Sequence, residues 1–432
     1  MLNTQAAYFR DVGFSNETAS KLAGFLSERL KLKEEDKGTV IEYLKKRRQK
    51  VRGKERFGIV FDATHYCNLI CRHCAVNANL TTKSSSQIQF ETSTEDVHTI
   101  IDKVGDYSRS RKYPIFFMFG GGEPTLRPDF EDIVRYACKK FGEGSVGFNT
   151  NGTTLSLDDL LRLKHVSTIE ISLDGFEEYH NSWRGPEKIS SVSNPYRRTI
   201  DLVLSAVQHR AMQEKIEVTS IATKDNISQI PRFIAYIFSL GVRNYSIHRA
   251  MPVGRMIHCL NKIPNMSEYA ELFVATAKIA NEVCMNDLHV HHSLESIYSA
   301  LLLGEDLHLT FLPMASGRHS IGIDPHGNVH FDPWCMVRPY DKLTPGSLLD
   351  SNARLADFLE TEGSAMKIVD DLSKKKFRCK RCLMQCGGGM RFNAMATYIA
   401  KLTELVETDI LESHLLAGLS QIDPACPLSE EI

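Results

Sequence analysis

The chain has 432 residues, 42% hydrophobic and 24% charged, enough to bury a sizeable core and to form two domains. Lysine plus arginine number 52 against 53 aspartate plus glutamate, so no global charge points to nucleic acid or an anionic membrane. No apolar run approaches the roughly 18 residues of a spanning helix, and the start MLNTQAAYFRDVG lacks a basic segment before an apolar core, so eleven cysteines here predict metal or catalytic chemistry in a reducing cytoplasm.

Residues 1–55 read as a helical extension. Ser15 or Asn16 can cap a segment presenting Leu22, Phe25 and Leu26, and a second segment covers 34–50. Its basic run Lys45–Lys50 is the solvated end of a helix more readily than a binding patch. From 56 to 255 the pattern alternates. Strand-like apolar runs fall at 57–64, 114–119, 145–149, 167–173, 216–223 and 244–250, with helical stretches such as 94–108, 129–141, 196–211 and 227–240 between them. Such alternation predicts βα units around a parallel sheet, and six units are too few for an eight-unit closed barrel. Residues 256–310 read as a mainly helical linker, and from 311 to 432 a second module of short strands, turns and helices follows.

Chemistry concentrates just after the first strand, in Cys67-Asn68-Leu69-Ile70-Cys71-Arg72-His73-Cys74. Three thiols at this spacing can converge on one loop, and no fourth cysteine follows until Cys138. Zinc and four-iron clusters both ordinarily take four protein ligands. Three thiolates on a four-iron cube would leave one iron open to a small ligand, while three stray thiols or part of a zinc site are the plainer alternatives. The second strand runs into Gly121-Gly122-Glu123-Pro124, where glycine allows close backbone approach beside a carboxylate; an ordinary glycine turn would look the same. Asn149-Thr150-Asn151-Gly152 ends the third strand, Ser172-Leu173-Asp174-Gly175 the fourth, and Trp183-Arg184-Gly185 follows. At the carboxyl ends of strands in a βα barrel, such residues converge on one face.

Together these motifs resemble the radical SAM superfamily. The resemblance implies an α/β fold with a partial (β/α)6 TIM-like barrel. It implies that Cys67, Cys71 and Cys74 hold a [4Fe–4S] cluster whose open iron binds S-adenosylmethionine (SAM). It places Gly121, Gly122 and Glu123 at the amino end of SAM, and Ser172 and Arg184 at its carboxylate. Asp174 and Asn151 become ribose candidates, with turn capping the alternative for both. His73 stands where the family usually carries an aromatic residue near adenine, which tunes the pocket. An electron, from a donor such as flavodoxin or ferredoxin, would split SAM into methionine and a 5′-deoxyadenosyl radical that removes hydrogen from substrate.

The stretches GRHSIGIDPHGNV, CKRCLMQCGGGMR and DPACP resemble a SPASM-like C-terminal domain, which typically carries two auxiliary clusters. The resemblance implies one auxiliary [4Fe–4S] cluster on Cys379, Cys382, Cys386 and Cys426, a zinc site being the rival. Met314 and Met390 replace two ligands of the other cluster, so that cluster is expected to be absent; Cys335 is a buried thiol or one near substrate. A ribosomal peptide or protein is the favoured substrate, to be crosslinked, epimerised or oxidised. The alternatives are a small molecule such as a sugar or nucleoside, and a non-catalytic metal-binding or redox-sensing role.

Overall fold

The computed structural model describes residues 32–51, 56–81, 83, 85–185, 192–251, 253–283, 289–292, 302, 320–330, 333–336 and 344–360. The expected capped segment near Leu22, the run from Cys379 to Met390, and Cys426 lie outside them, as does Met314.

All six expected strands are present: β1 (Phe57–Thr64), β2 (Ile115–Gly121), β3 (Val146–Thr150), β4 (Thr168–Ser172), β5 (Ile216–Ala222) and β6 (Asn244–Arg249). Each pairs in parallel with the next. Period-two alternation sorts their side chains. Phe57, Ile59 and Phe61 of β1 and Phe117 and Phe119 of β2 enter one apolar core with Val97, Ile100, Ile101, Ile133 and Val134. Those last five come from helices α2 (Thr94–Arg111) and α3 (Phe130–Phe141), which lie between successive strands. The helices start where the sequence supplies caps. Ser93 accepts from the Asp96 amide ahead of α2, and Asn194, at φ 51°, accepts from Arg197 ahead of α6 (Pro195–Gln208). Between α3 and α6 lie α4 (Leu157–Arg162) and α5 (Glu177–Arg184).

Three strands from later parts of the chain join the same sheet. The segment read as a helical linker does form α8 (Met266–Lys278), after α7 (Ile230–Ser239), but it also contributes β7 (His289–His292), parallel to β6. Beyond residue 311, β8 (Ser320–Ile323) lies parallel to β1 on its other side, and β9 (Val329–His330) pairs antiparallel to β8. The sheet order is β9-β8-β1-β2-β3-β4-β5-β6-β7. Residues read as two later modules therefore extend the core sheet at both edges. Extended chain satisfies its backbone groups best on an unpaired strand, and the edges offered by β1 and β6 supply one each.

The amino-terminal helix α1 (Glu34–Val51) braces one of these edges. Tyr43 is buried, donates its hydroxyl to the Val290 carbonyl of β7 at 2.5 Å, and packs edge-on against Phe273 of α8. Among the described residues no helix is long and apolar enough to cross a membrane.

Candidate active site

The opposite face of the sheet, at the carboxyl ends of the strands, carries a cavity of about 190 Å³. Its wall includes Cys67, Cys71 and Cys74 from the loop after β1, Gly120 to Gly122 at the end of β2, Asn149 to Asn151 at the end of β3, and Ser172, Arg184, Ile221 and Arg255. Of the expected site residues within the described part of the chain, eight line it, while Glu123 and Asp174 stand behind the wall.

The cysteine loop closes on itself through a short parallel pair, Tyr66–Cys67 with Asn79–Leu80. The Thr81 amide donates to the Cys67 carbonyl at 2.8 Å, and the Asn79 amide to the His65 carbonyl at 2.7 Å. Two of the three sulfurs accept backbone N–H groups: Leu69 donates to Cys67 Sγ and Ala78 to Cys74 Sγ, both at 3.4 Å. Burial pushes the Cys67 thiol well up, with Cys71 and Glu123 adding to it. Burial likewise pushes Cys71 up to about 11, opposed by Arg184 and Arg255. Two desolvated sulfurs, with a third on the same cavity wall, favour a partner that carries positive charge and soft metal character. Among the described residues no three His, Cys, Asp or Glu side chains are placed to hold a metal ion. The donor set and its spread around a cavity suit a cluster with several irons.

The glycines after β2 are required by the loop's own root. Gly121 has φ 109°, and Cβ atoms on Gly121 and Gly122 would overlap the carbonyls of Thr64 and Tyr66. This proximity lets Gly122 N donate to Thr64 O at 2.7 Å and Glu123 N to Tyr66 O at 2.8 Å. Glu123 is fully buried and turned toward the end of β3. Its carboxylate accepts from Thr125 Oγ1 at 2.5 Å, Thr150 Oγ1 at 2.8 Å and the Asn151 amide at 2.7 Å. Burial raises its pKa, while those hydrogen bonds act the other way. Glu123 thus shapes the cavity through Thr150 and Asn151, which line it. Asn151 continues the connection by donating to Asn68 Oδ1 at 2.8 Å and accepting from Thr153 Oγ1 at 2.6 Å.

Asp174 departs from the expectation of ribose contact. It is fully buried and forms a two-pronged pair with Arg184, Nε donating to Oδ2 at 2.6 Å and Nη2 to Oδ1 at 2.9 Å. The Ile221 amide donates to the same Oδ1 at 2.9 Å, and His73 Nε2 lies 3.3 Å from Oδ2. Burial alone would raise the Asp174 carboxyl, but Arg184 and His73 hold it well below the usual carboxylate range. A carboxylate engaged on so many sides is a counter-ion and orienting group. Burial pushes His73 down to about 4, with Arg184 and Arg255 adding to the effect and Asp174 opposing it, so its ring is neutral near pH 7.

Two further residues complete the site. The Trp183 carbonyl accepts from Arg72 N at 2.8 Å, and its indole lies 4.8 Å from the Arg72 guanidinium and 5.7 Å from the His73 ring. Arg255, in the turn after β6, binds the cysteine loop through several donors: its amide to Cys74 O at 2.9 Å, Nε to Cys71 O at 2.7 Å and Nη1 to Ala78 O at 2.8 Å. Trp183-Arg184-Gly185 was legible in the sequence only as a turn after a strand end, which fixes position but not partner.

A parallel βα sheet gathers three cysteines of one loop around a cavity at its carboxyl edge, the usual place for chemistry in such folds. Residues 62–208 match the Radical SAM superfamily model, so that stretch of the chain is a Radical SAM domain. The chain is 26% identical over 298 residues to the mycofactocin maturase MftC of Mycobacterium tuberculosis (strain ATCC 25618 / H37Rv), an alignment covering 67% of each chain. It is 28% identical over 214 residues to the Fe-coproporphyrin III synthase of Methanosarcina barkeri, covering 49% of this chain and 48% of that one. Its fold is similar to that of Streptococcus suis SuiB bound to the precursor peptide SuiA, with TM-score 0.56 and 13% identity over 77% of this chain and 71% of that one. It is also similar to anSMEcpe with bound AdoMet, with TM-score 0.55 and 16% identity over 82% and 99%.

Proposed function

We propose that Cys67, Cys71 and Cys74 hold the [4Fe–4S] cluster, that SAM lies beside it against Gly121, Gly122, Ser172 and Arg184, and that the substrate is a ribosomal peptide or protein. The observation that carries this reading is the convergence of all three thiols with those four residues on one cavity wall. When bound, the cluster supplies the electron that splits SAM into methionine and the 5′-deoxyadenosyl radical that takes hydrogen from substrate.

The chain's residues supply position and exclusion. Glu123 fixes Thr150 and Asn151, Asp174 fixes Arg184, and Arg255 and Trp183 fix the cysteine loop, so the walls are organised before ligand arrives. The Arg184 cation on the cavity wall suits a carboxylate, and its pairing with Asp174 sets the direction of approach. Asn151, whose side chain is already engaged by Asn68 and Thr153, acts on the ribose side chiefly through the shape of its turn.

A peptide substrate is supported by the alignment with a maturase over two thirds of the chain and by a fold shared with a precursor-peptide complex. A small-molecule substrate is the second reading, favoured by the similarity to Fe-coproporphyrin III synthase and AdoMet-dependent heme synthase over about half the chain. The reading extends to the tail: Cys379, Cys382, Cys386 and Cys426 hold one auxiliary [4Fe–4S] cluster, and Met314 and Met390 mark the loss of another. Flavodoxin or ferredoxin suits the electron-donor role in a cytoplasmic setting.

The test is iron and acid-labile sulfide per chain after anaerobic reconstitution, together with deoxyadenosine formed from SAM under dithionite. About eight irons falling to about four in Cys67→Ala/Cys71→Ala/Cys74→Ala, with deoxyadenosine lost, is expected. About twelve in the wild type would refute the lost cluster. An unchanged iron count in the triple variant would refute the cysteine assignment.

A further inference from the structure

The guanidinium of Arg255 has more donors than the loop uses. Nε and Nη1 bind the carbonyls of Cys71 and Ala78, and Nη1 also reaches Asn77 Oδ1 at 3.3 Å. Nη2 is buried and has no hydrogen-bond partner among the described residues, and the residue is part of the cavity wall that carries Cys67, Cys71 and Cys74. A buried charged donor left unpaired costs more than a hydrogen bond returns, so a site that keeps one ordinarily has an acceptor to meet it. On the same wall Val76 and Ala78 offer no side-chain acceptor, and the Ala78 carbonyl is taken by Nη1. The acceptors that the cavity is built to gather are sulfurs.

We infer that Arg255 sets the reduction potential of the cluster held by Cys67, Cys71 and Cys74, its Nη2 donating to sulfur of that cluster while its other arms hold the loop. This rests on the cysteine assignment proposed above. Hydrogen bonds to sulfur and nearby charge are among the main determinants of iron–sulfur potentials. Reduction adds one negative charge to the cluster, and a fixed cation beside it stabilises the reduced form relative to the oxidised one. The loop is short of other cations. Arg184 is neutralised by Asp174, and Arg72 is drawn over Trp183, whereas Arg255 makes no ion pair among the described residues. The guanidinium also places its charge without competing for metal, since it offers only N–H donors and no acceptor with which to coordinate.

The inference is tested by reductive titration of the reconstituted full-length protein, followed by electron paramagnetic resonance, in wild type, Arg255→Met and Arg255→Lys. The cluster at the cysteine loop is the one whose signal changes when SAM is added. Arg255→Met is expected to lower its equilibrium constant for reduction about tenfold, about 59 mV for one electron, with Arg255→Lys between it and wild type. A wild-type midpoint in either loaded variant overturns the inference. If Arg255→Met loads no iron, Arg255→Lys carries the measurement, and failure of both to load also overturns it, because Arg255 would then be a loop brace alone. Persistence of the SAM-responsive signal in the triple cysteine variant sinks the underlying cluster assignment instead, leaving the two failures distinguishable.

Discussion

Replacing Asp174 with Asn removes one charge and leaves the shape nearly intact. In the folded chain both partners are buried, and Asp174 accepts two hydrogen bonds from Arg184 and one from the Ile221 amide. An asparagine oxygen can replace one acceptor, but its NH2 group confronts a donor. Arg184 then remains as an uncompensated cation in a desolvated site, which costs about 3–5 kcal/mol. At about 2–4 °C per kcal/mol for domains somewhat smaller than this one, Asp174→Asn should unfold roughly 6–20 °C below wild type in anaerobic thermal denaturation. The direction with pH follows from the depressed carboxyl. Its contribution is present above the unfolded aspartate value of about 3.9 and is lost only as pH falls through the lower folded value, so the deficit of the variant persists across pH 5 to 8. Asp174→Asn/Arg184→Met removes the stranded charge and should recover part of the loss. A variant within about 2 °C of wild type, or a double variant showing only the sum of two single losses, would refute the view of this pair as a coupled buried unit.

Gly122→Ala should cost on the order of 3 kcal/mol and sharply reduce iron retention, because the added Cβ meets the Tyr66 backbone and no side chain can yield; denaturant unfolding and iron content check both. His180 is fully buried, and burial, assisted by Arg184, pushes it down to about 3. The unfolded chain therefore takes up its proton first as pH falls below about 6.5, so stability declines from there toward the folded value, by about 2 kcal/mol at pH 5. His180→Phe should narrow the stability difference between pH 7 and pH 5 by that amount in urea melts, and an unchanged difference would mean the imidazole is hydrated.

The six strands of the core were legible because each is a short apolar run bounded by turns, and buried parallel strands look like that. His289–His292 was not, since HVHH offers a single apolar residue and takes its strand form from the edge of β6. Ser320–Ile323 was visible as extended chain, but its neighbour lies far back in the sequence, and local pattern carries no information about which strand it joins. The cysteine loop could be read because its chemistry depends on close sequence spacing, and the structure gathers the three thiols at one cavity. Asp174 was assigned toward ligand because a polar residue at a strand end usually faces one; its true neighbour depends on the path of α5, which brings Arg184 back across it. Arg255 stayed hidden for a similar reason, its partners lying in a loop almost a whole barrel earlier.

The pairing of β8 with β1 has a consequence for how the enzyme is made. β1 launches the cysteine loop, yet one of its two neighbours is encoded at residues 320–323. Until that stretch has left the ribosome, the strand that positions the first cysteine has an unpaired side, open to wrong partners. At roughly 5–20 residues per second, the nascent chain carries an incomplete core for tens of seconds after Cys67, Cys71 and Cys74 have emerged. Completion of the site is thereby a late event in synthesis, and premature termination anywhere before β8 leaves β1, the strand that launches the thiols, with one edge unpaired.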